Sequence, residues 1–368
     1  MAARISERPL ESAGPASKWY SVTDRSYHKS AAIVRATLFL LVLLMSWAAA
    51  AHHSVGVFYE PEAASEVSGT ITSVAWFNPH IRFTLQSING TNEPEIWAVE
   101  SGSVNMLERN GISRDQLAVG SEVTVVGRGS RLGRKAIYAT AISKSGGATV
   151  ALQGQFGEPE AASAGLLDAQ RVAAGSQPDG IFRVWTRGRA YGDAANDIAT
   201  GLELPYTAAA LAARDRYNPL TDDTALACIP QGMPGIMDNP FPIEFAARDG
   251  DILLRLEEWD VERTIHLTGD PAAEAQPATP LGYSVGHWED DTLVVETTRI
   301  DWPFFDDVGT PQSAAIETVE RFSLSADQTR LSYSITATDP ATFTAPVTVE
   351  GYWVWVPGQE IKPYNCTL

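Results

Sequence analysis

The sequence predicts a mainly β protein built as two bodies, a small five-stranded barrel and then a larger antiparallel barrel carrying one helix. Three observations predict it. Short runs rich in Val, Ile, Thr and aromatic residues recur along the chain, as strands require. Several of them alternate apolar and polar residues with a period of two, for example Ile81, Phe83 and Leu85 against Arg82, Thr84 and Gln86. Most joins between them are short, which favours antiparallel neighbours.

The elements follow in order. Val67–Trp76, His80–Ser87 and Glu95–Glu100 read as three strands. Ser103 is placed to cap a short helix carrying Met106 and Leu107, and Ser113 to cap a further turn. Glu122–Gly127 and Ala136–Ser143 are two more strands. Three strands, a small helix and two strands is the element order of an OB-like barrel, so residues 52–146 form the first domain. Residues 147–178, rich in Gly, Ala, Ser, Pro and Glu, read as a linker with one helical turn around Leu166–Ala173. The second domain spans 179–368. Its helix is the Ala/Leu-rich run Pro205–Tyr217. Its strands are Ile243–Ala247, Ile252–Glu257, Glu262–Leu267, Tyr283–Trp288, Thr292–Arg299, Glu317–Leu324, Arg330–Thr338 and Val347–Val356. Asp249-Gly250 between the first two is a strong hairpin signal. Such a set fits a closed barrel or a strongly curved sheet, with a two-sheet sandwich as the competing arrangement.

Residues 1–51 read as a signal peptide with a long n-region. Lys29 and Arg35 precede an apolar run, Ala36–Trp47, that ends in Ala48-Ala49-Ala50-Ala51. The run is short of the roughly 20 apolar residues that a bilayer-spanning helix needs. An uncleaved leader acting as a single-pass membrane anchor is the alternative. The chain carries 27 basic and 45 acidic residues, a net charge of -18. Six of the basic and three of the acidic residues lie in the leader, which leaves the rest at -21. That field repels phosphate backbones and argues against nucleic acid as a partner. Two cysteines, Cys228 and Cys366, fit a disulfide in an exported chain, periplasmic or secreted, with two buried free thiols as the other reading.

His52-His53-Ser54, Gly69 and Asn78-Pro79-His80 resemble a family of exported bacterial proteins whose mature chains begin Ala-His-His-Ser and carry a later Asn-Pro-His. The family has no assigned activity; the resemblance implies export and a small β-barrel. The C-terminal half resembles a bacterial group described as lipocalin-like. The shared residues are Trp259-Asp260, Arg263-Thr264-Ile265-His266, the run Gly282–Glu289 and the run Asp291–Thr297. That resemblance implies a lipocalin-like barrel and leaves its ligand open.

Several constellations could carry chemistry. Cleavage after Ala50 or Ala51 would set His52 and His53 beside a free amine, a chelate for Cu(II) or Ni(II) that His80 could complete, so copper is the cofactor expected. In the second domain, inward-pointing Glu257, Glu296, His266 and His287 would form an acid–base set, because enclosure moves carboxyl and imidazole pKa values toward neutrality. Arg255 or Arg263 would hold an anionic group, with Tyr283, Trp288 and Trp353 lining a pocket. Cross-strand salt bridges on the outer face are the alternative for the charged residues, and core packing for Trp353. Arg128, Arg131, Arg134 and Lys135 cluster at the last hairpin of the first domain, to hold an anion or simply as a solvated tip. The expected function is an exported binding protein for an apolar or amphipathic small molecule. An envelope enzyme doing acid–base chemistry, an isomerase, cyclase or hydrolase, is the second reading, and an envelope interaction module the third.

Overall fold

The computed structural model describes residues 55–144, 147–152, 169–172, 174, 180–188, 204–268 and 275–367. The expected leader, residues 1–51, and the His52–His53 pair lie outside the described residues. From Ala50 onward the chain forms one compact unit. It is mainly β, as the sequence predicts.

A short helical turn, α1 (Val55–Phe58), leads into the small barrel. Its strands are β1 (Tyr59–Ala75), β2 (Arg82–Ile88), β3 (Pro94–Glu100), β4 (Glu122–Ser130) and β5 (Ala136–Lys144). β1 pairs with β2 and β4, β2 with β3, and β4 with β5, all antiparallel. The ring closes through a parallel pair, β3 with β5. The inward set Ile71, Ile81, Phe83, Leu85, Val125 and Ile137 is almost fully buried. The helix α2 (Val104–Arg109) plugs this core with Leu107 and is capped by Ser103, whose hydroxyl accepts from the Met106 amide at 3.1 Å. At Gly127 the β4–β5 register shifts, and a Cβ there would lie 2.0 Å from the Tyr138 carbonyl oxygen, so only glycine lets the two backbones approach. A sixth strand, β6 (Thr149–Ala151), adds to β5, so the sheet runs on into the stretch expected to be linker.

The large barrel closes with nine strands: β7 (Val184–Arg187), β8 (Ile243–Arg248), β9 (Asp251–Leu256), β10 (Val261–His266), β11 (Tyr283–Glu289), β12 (Thr292–Thr298), β13 (Glu317–Leu324), β14 (Arg330–Thr338) and β15 (Val347–Val354). Closure excludes the sandwich. Eight of these strands match the sequence expectation. The ninth, β7, is a four-residue strand that bridges β15 and β8. One pair, β10 with β11, runs parallel over two residues. Gly286 faces inward there, where a Cβ would meet Ile265 at 2.6 Å. Asp249 and Gly250 both take positive φ, 55° and 92°, as a two-residue hairpin turn requires. The helix α3 (Ala208–Arg214), capped by Thr207, is shorter than the run Pro205–Tyr217. Tyr206 forms a β-bridge with Phe343 instead, and Asn218-Pro219 resists helix at the other end.

Trp185, Phe245, Leu254, Phe322 and Trp353 fill the large barrel. Cys228 and Cys366 are joined in a disulfide. Among the described residues no helix is long and apolar enough to cross a membrane.

Candidate functional site

Strand alternation decides where the expected site residues point. On β10 the buried residues are Val261, Arg263 and Ile265, so His266 faces outward. Its Nδ1 lies 2.7 Å from Asp251 Oδ2, and its ring stacks on Tyr283 with centroids 4.9 Å apart. His287 is also on the outer face, with Nε2 3.3 Å from Glu289 Oε1. Glu296 is exposed on β12. His266 and Glu296 flank Val285 on neighbouring strands, two strand spacings or about 10 Å apart. Trp288 is 43% exposed at the end of β11. Arg255 forms an outer-face ion pair with Glu244. The structure does not bring the four acid–base candidates into one enclosed space.

Glu257 is fully buried, yet not in the barrel. It sits where the two barrels meet. Arg109 of α2 donates to both of its oxygens, Asn105 Nδ2 donates to Oε1 at 2.9 Å, and the Lys362 amide donates to Oε2 at 2.9 Å. The next residues bend sharply: Trp259 and Asp260 take φ of 65° and 55°. That bend aims the Asp260 carboxylate at the amides of Tyr364 and Asn365, at 2.8 and 3.1 Å. Asn78 completes the junction from the small barrel. It accepts from the Val104 amide at 2.8 Å, donates to Asn105 Oδ1 at 2.8 Å and donates to the Tyr364 carbonyl. Residues 360–367 are thus a strap touching both barrels. Glu258, beside the latch, has its carboxyl pushed up to about 8 by burial.

Among the charged site candidates, Arg263 is the one that enters the barrel, where it is 2% exposed. Its guanidinium forks onto Glu320, with NH1 3.1 Å from Oε1 and NH2 bonded to Oε2. Nε donates to Ser284 Oγ at 2.9 Å and NH2 to Thr297 Oγ1 at 2.7 Å. Tyr333 Oη donates to Glu320 at 3.0 Å, and burial first, then the Glu320 charge, holds that phenol well above its ordinary pKa. Four of the guanidinium's five N–H groups are used within the wall. Trp353, 1% exposed, packs on Tyr333 and Phe322 with ring centroids 5.0 and 6.3 Å away. Of its two readings it takes the core one. Glu320 and Tyr333 were missed as partners, although Thr318, Glu320 and Phe322 share one parity on β13 and an inward arginine demands an inward carboxylate.

A concave dish of about 410 Å³ lies on the outside of β13, β14 and β15. Ser323, Ser332, Ser334 and Gly351 form its floor, and Arg321, Arg330, Glu350 and Tyr352 its walls. Short side chains flanked by long ones make the hollow. Arg321 is held by Glu289 at 2.6 Å. Arg330 lies 3.5 Å above the Tyr352 ring and makes no ion pair among the described residues.

His80 stands apart, beside Glu100, Tyr59 and Tyr138 in the small barrel. Among the described residues no cluster of three or more His, Cys, Asp or Glu could hold a metal. Of the basic hairpin, Lys135 pairs with Glu95 and Arg131 approaches Glu60 at 4.0 Å.

Fold and surface together define a disulfide-stapled protein of two joined β-barrels with a filled interior and a polar outer hollow. Residues 40–138, which include most of the small barrel, match a family model described as "Family of unknown function (DUF6152)". No curated protein matches the chain.

Proposed function

We propose that the chain is an exported binding protein, periplasmic or secreted, and that the outer dish takes a small polar ligand bearing a carboxylate. The observation that carries this reading is Arg330. A guanidinium stacked on a ring, with no ion pair among the described residues and three serines lining the same hollow, offers a planar fork to an anionic group in an otherwise acidic protein. Glu350 on the same rim suits a sugar hydroxyl. The volume falls in the range of small-molecule sites. The disulfide supports export, since such bonds persist outside the cytosol. The acid–base enzyme reading has less support, because His266, His287 and Glu296 face outward and Glu257 is spent on the barrel junction.

The test is a thermal-shift and calorimetric screen of the purified protein with free uronic acids, hydroxy acids and the neutral parent sugars. Acidic ligands should raise Tm, neutral sugars should not, and Arg330→Ala should remove the shift. A shift that survives Arg330→Ala, or no shift with any acid, refutes the assignment.

A further inference from the structure

The outer dish carries two opposite charges that do not meet. Arg330 lies on β14 and Tyr352 on β15, and the guanidinium sits 3.5 Å above the ring. Glu350 precedes Tyr352 by two residues on β15. Strand alternation therefore puts both side chains on the outer face, with backbones about 7 Å apart. The register sets Ser332 beside Tyr352 and Ser334 beside Glu350, so hydroxyl side chains lie between the charges and β13.

The other guanidinium of the dish is already matched, because Arg321 is held by Glu289. Ser334 stands between Arg321 and Glu350 in the same row, which keeps those two about 10 Å apart at the backbone. Among the described residues neither Arg330 nor Glu350 forms an ion pair. One hollow thus offers a cation stacked on a ring and, one step along the strand, an exposed carboxylate.

A simple anion seated on Arg330 would meet the like charge of Glu350. It would also have to approach a chain of net charge -18. A ligand with both charges escapes both penalties, since it is neutral overall and complements each side chain. An ammonium also brings three N–H donors, enough to bond Glu350 and a serine hydroxyl together. We infer, resting on the dish as a carboxylate site, that its ligand is a zwitterion, an amino acid or an amino-sugar acid, with its carboxylate on Arg330 and its ammonium on Glu350.

Calorimetry of the purified full chain with matched acids tests this, each pair differing by an amine in place of a hydroxyl: alanine against lactate, glucosaminate against gluconate, 4-aminobutyrate against 4-hydroxybutyrate. In at least one pair the amino acid should bind about fivefold tighter or better, and the margin should narrow at high salt. Glu350→Gln should erase the margin by weakening the amino member alone, and the hydroxy member should bind as before or slightly tighter. Arg330→Ala should weaken both members. Glu350 is exposed, so its variant is expected to fold, and the comparison within pairs on the unaltered protein needs no variant. Acids that bind with no preference for the amine, or a preference that survives Glu350→Gln, overturn the zwitterion and leave the carboxylate site standing. No binding by any of these acids or by uronic acids overturns both.

Discussion

Glu257→Ala should be among the most damaging single changes in the chain. The carboxylate is 0% exposed and Arg109 only 14%. Its removal leaves a guanidinium without its carboxylate at a mostly dry junction, and it also deprives the Lys362 amide of its acceptor and Asn105 Nδ2 of the nearer of two, the Pro363 carbonyl at 3.3 Å remaining. Breaking one side of a buried ion pair costs about 3–5 kcal/mol. Glu257→Gln keeps the volume and one acceptor oxygen, so about 2 kcal/mol is expected. The assay is urea unfolding followed by tryptophan fluorescence and far-UV circular dichroism, for Glu257→Ala, Arg109→Met and the pair together. The cycle should return a coupling of at least about 2 kcal/mol, because the two residues share their hydrogen bonds. The single transition should also split, since barrels no longer latched unfold separately. A cost for Glu257→Ala below about 1 kcal/mol, or strictly additive single changes, would refute the latch.

Three further outcomes follow from the same geometry. Arg263→Met should cost about 3–5 kcal/mol, whereas Arg263→Met with Glu320→Leu should come close to neutral, because an apolar pair of similar volume replaces a desolvated ion pair; denaturation midpoints decide it. Cys228→Ser with Cys366→Ser opens a loop of 138 residues, worth about 5 kcal/mol in the chain-entropy model, and hydrogen exchange should speed up first over 360–367. Glu258 has a folded pKa of about 8, raised by burial above its ordinary value of 4.5. Its favourable contribution is complete below the unfolded value and is lost as pH rises through the folded one, so stability should decline from about pH 4.5 to 8. Glu258→Gln should flatten that limb and be the more stable form at high pH, and a Tm series across pH measures it.

Much of the architecture was legible because it rests on local signals. Period-two runs, the Ser103 cap and the Asp249-Gly250 turn each say what they become, and eight barrel strands follow from them. β7 was missed because four residues, Val184–Arg187, are too few to show a period, and the ring's need to close is a global requirement. The parallel β10–β11 pair has the same origin. The outward direction of His266 was available in the sequence, since Val261 and Ile265 share parity with Arg263 and leave His266 on the other face. Glu257 was different. It lies at the end of an apparent strand, and only the bend at Trp259 and Asp260 turns it toward Arg109, nearly 150 residues earlier. No local pattern encodes a partner at that separation. The dish likewise arises from side chains on three strands brought alongside by the register.

The strap has a consequence for biogenesis. Residues 360–367 emerge from the ribosome, and from any export channel, after every strand of both barrels. Until then the surfaces around Asn78, Asn105 and Glu257 lack their final covering, and each barrel has to mature on its own. Truncation before Lys362 should therefore leave the halves tied at the junction by Arg109 and Asn105 on Glu257 without the strap over them, a loosening that protease sensitivity would reveal where spectroscopy of the sheets would not.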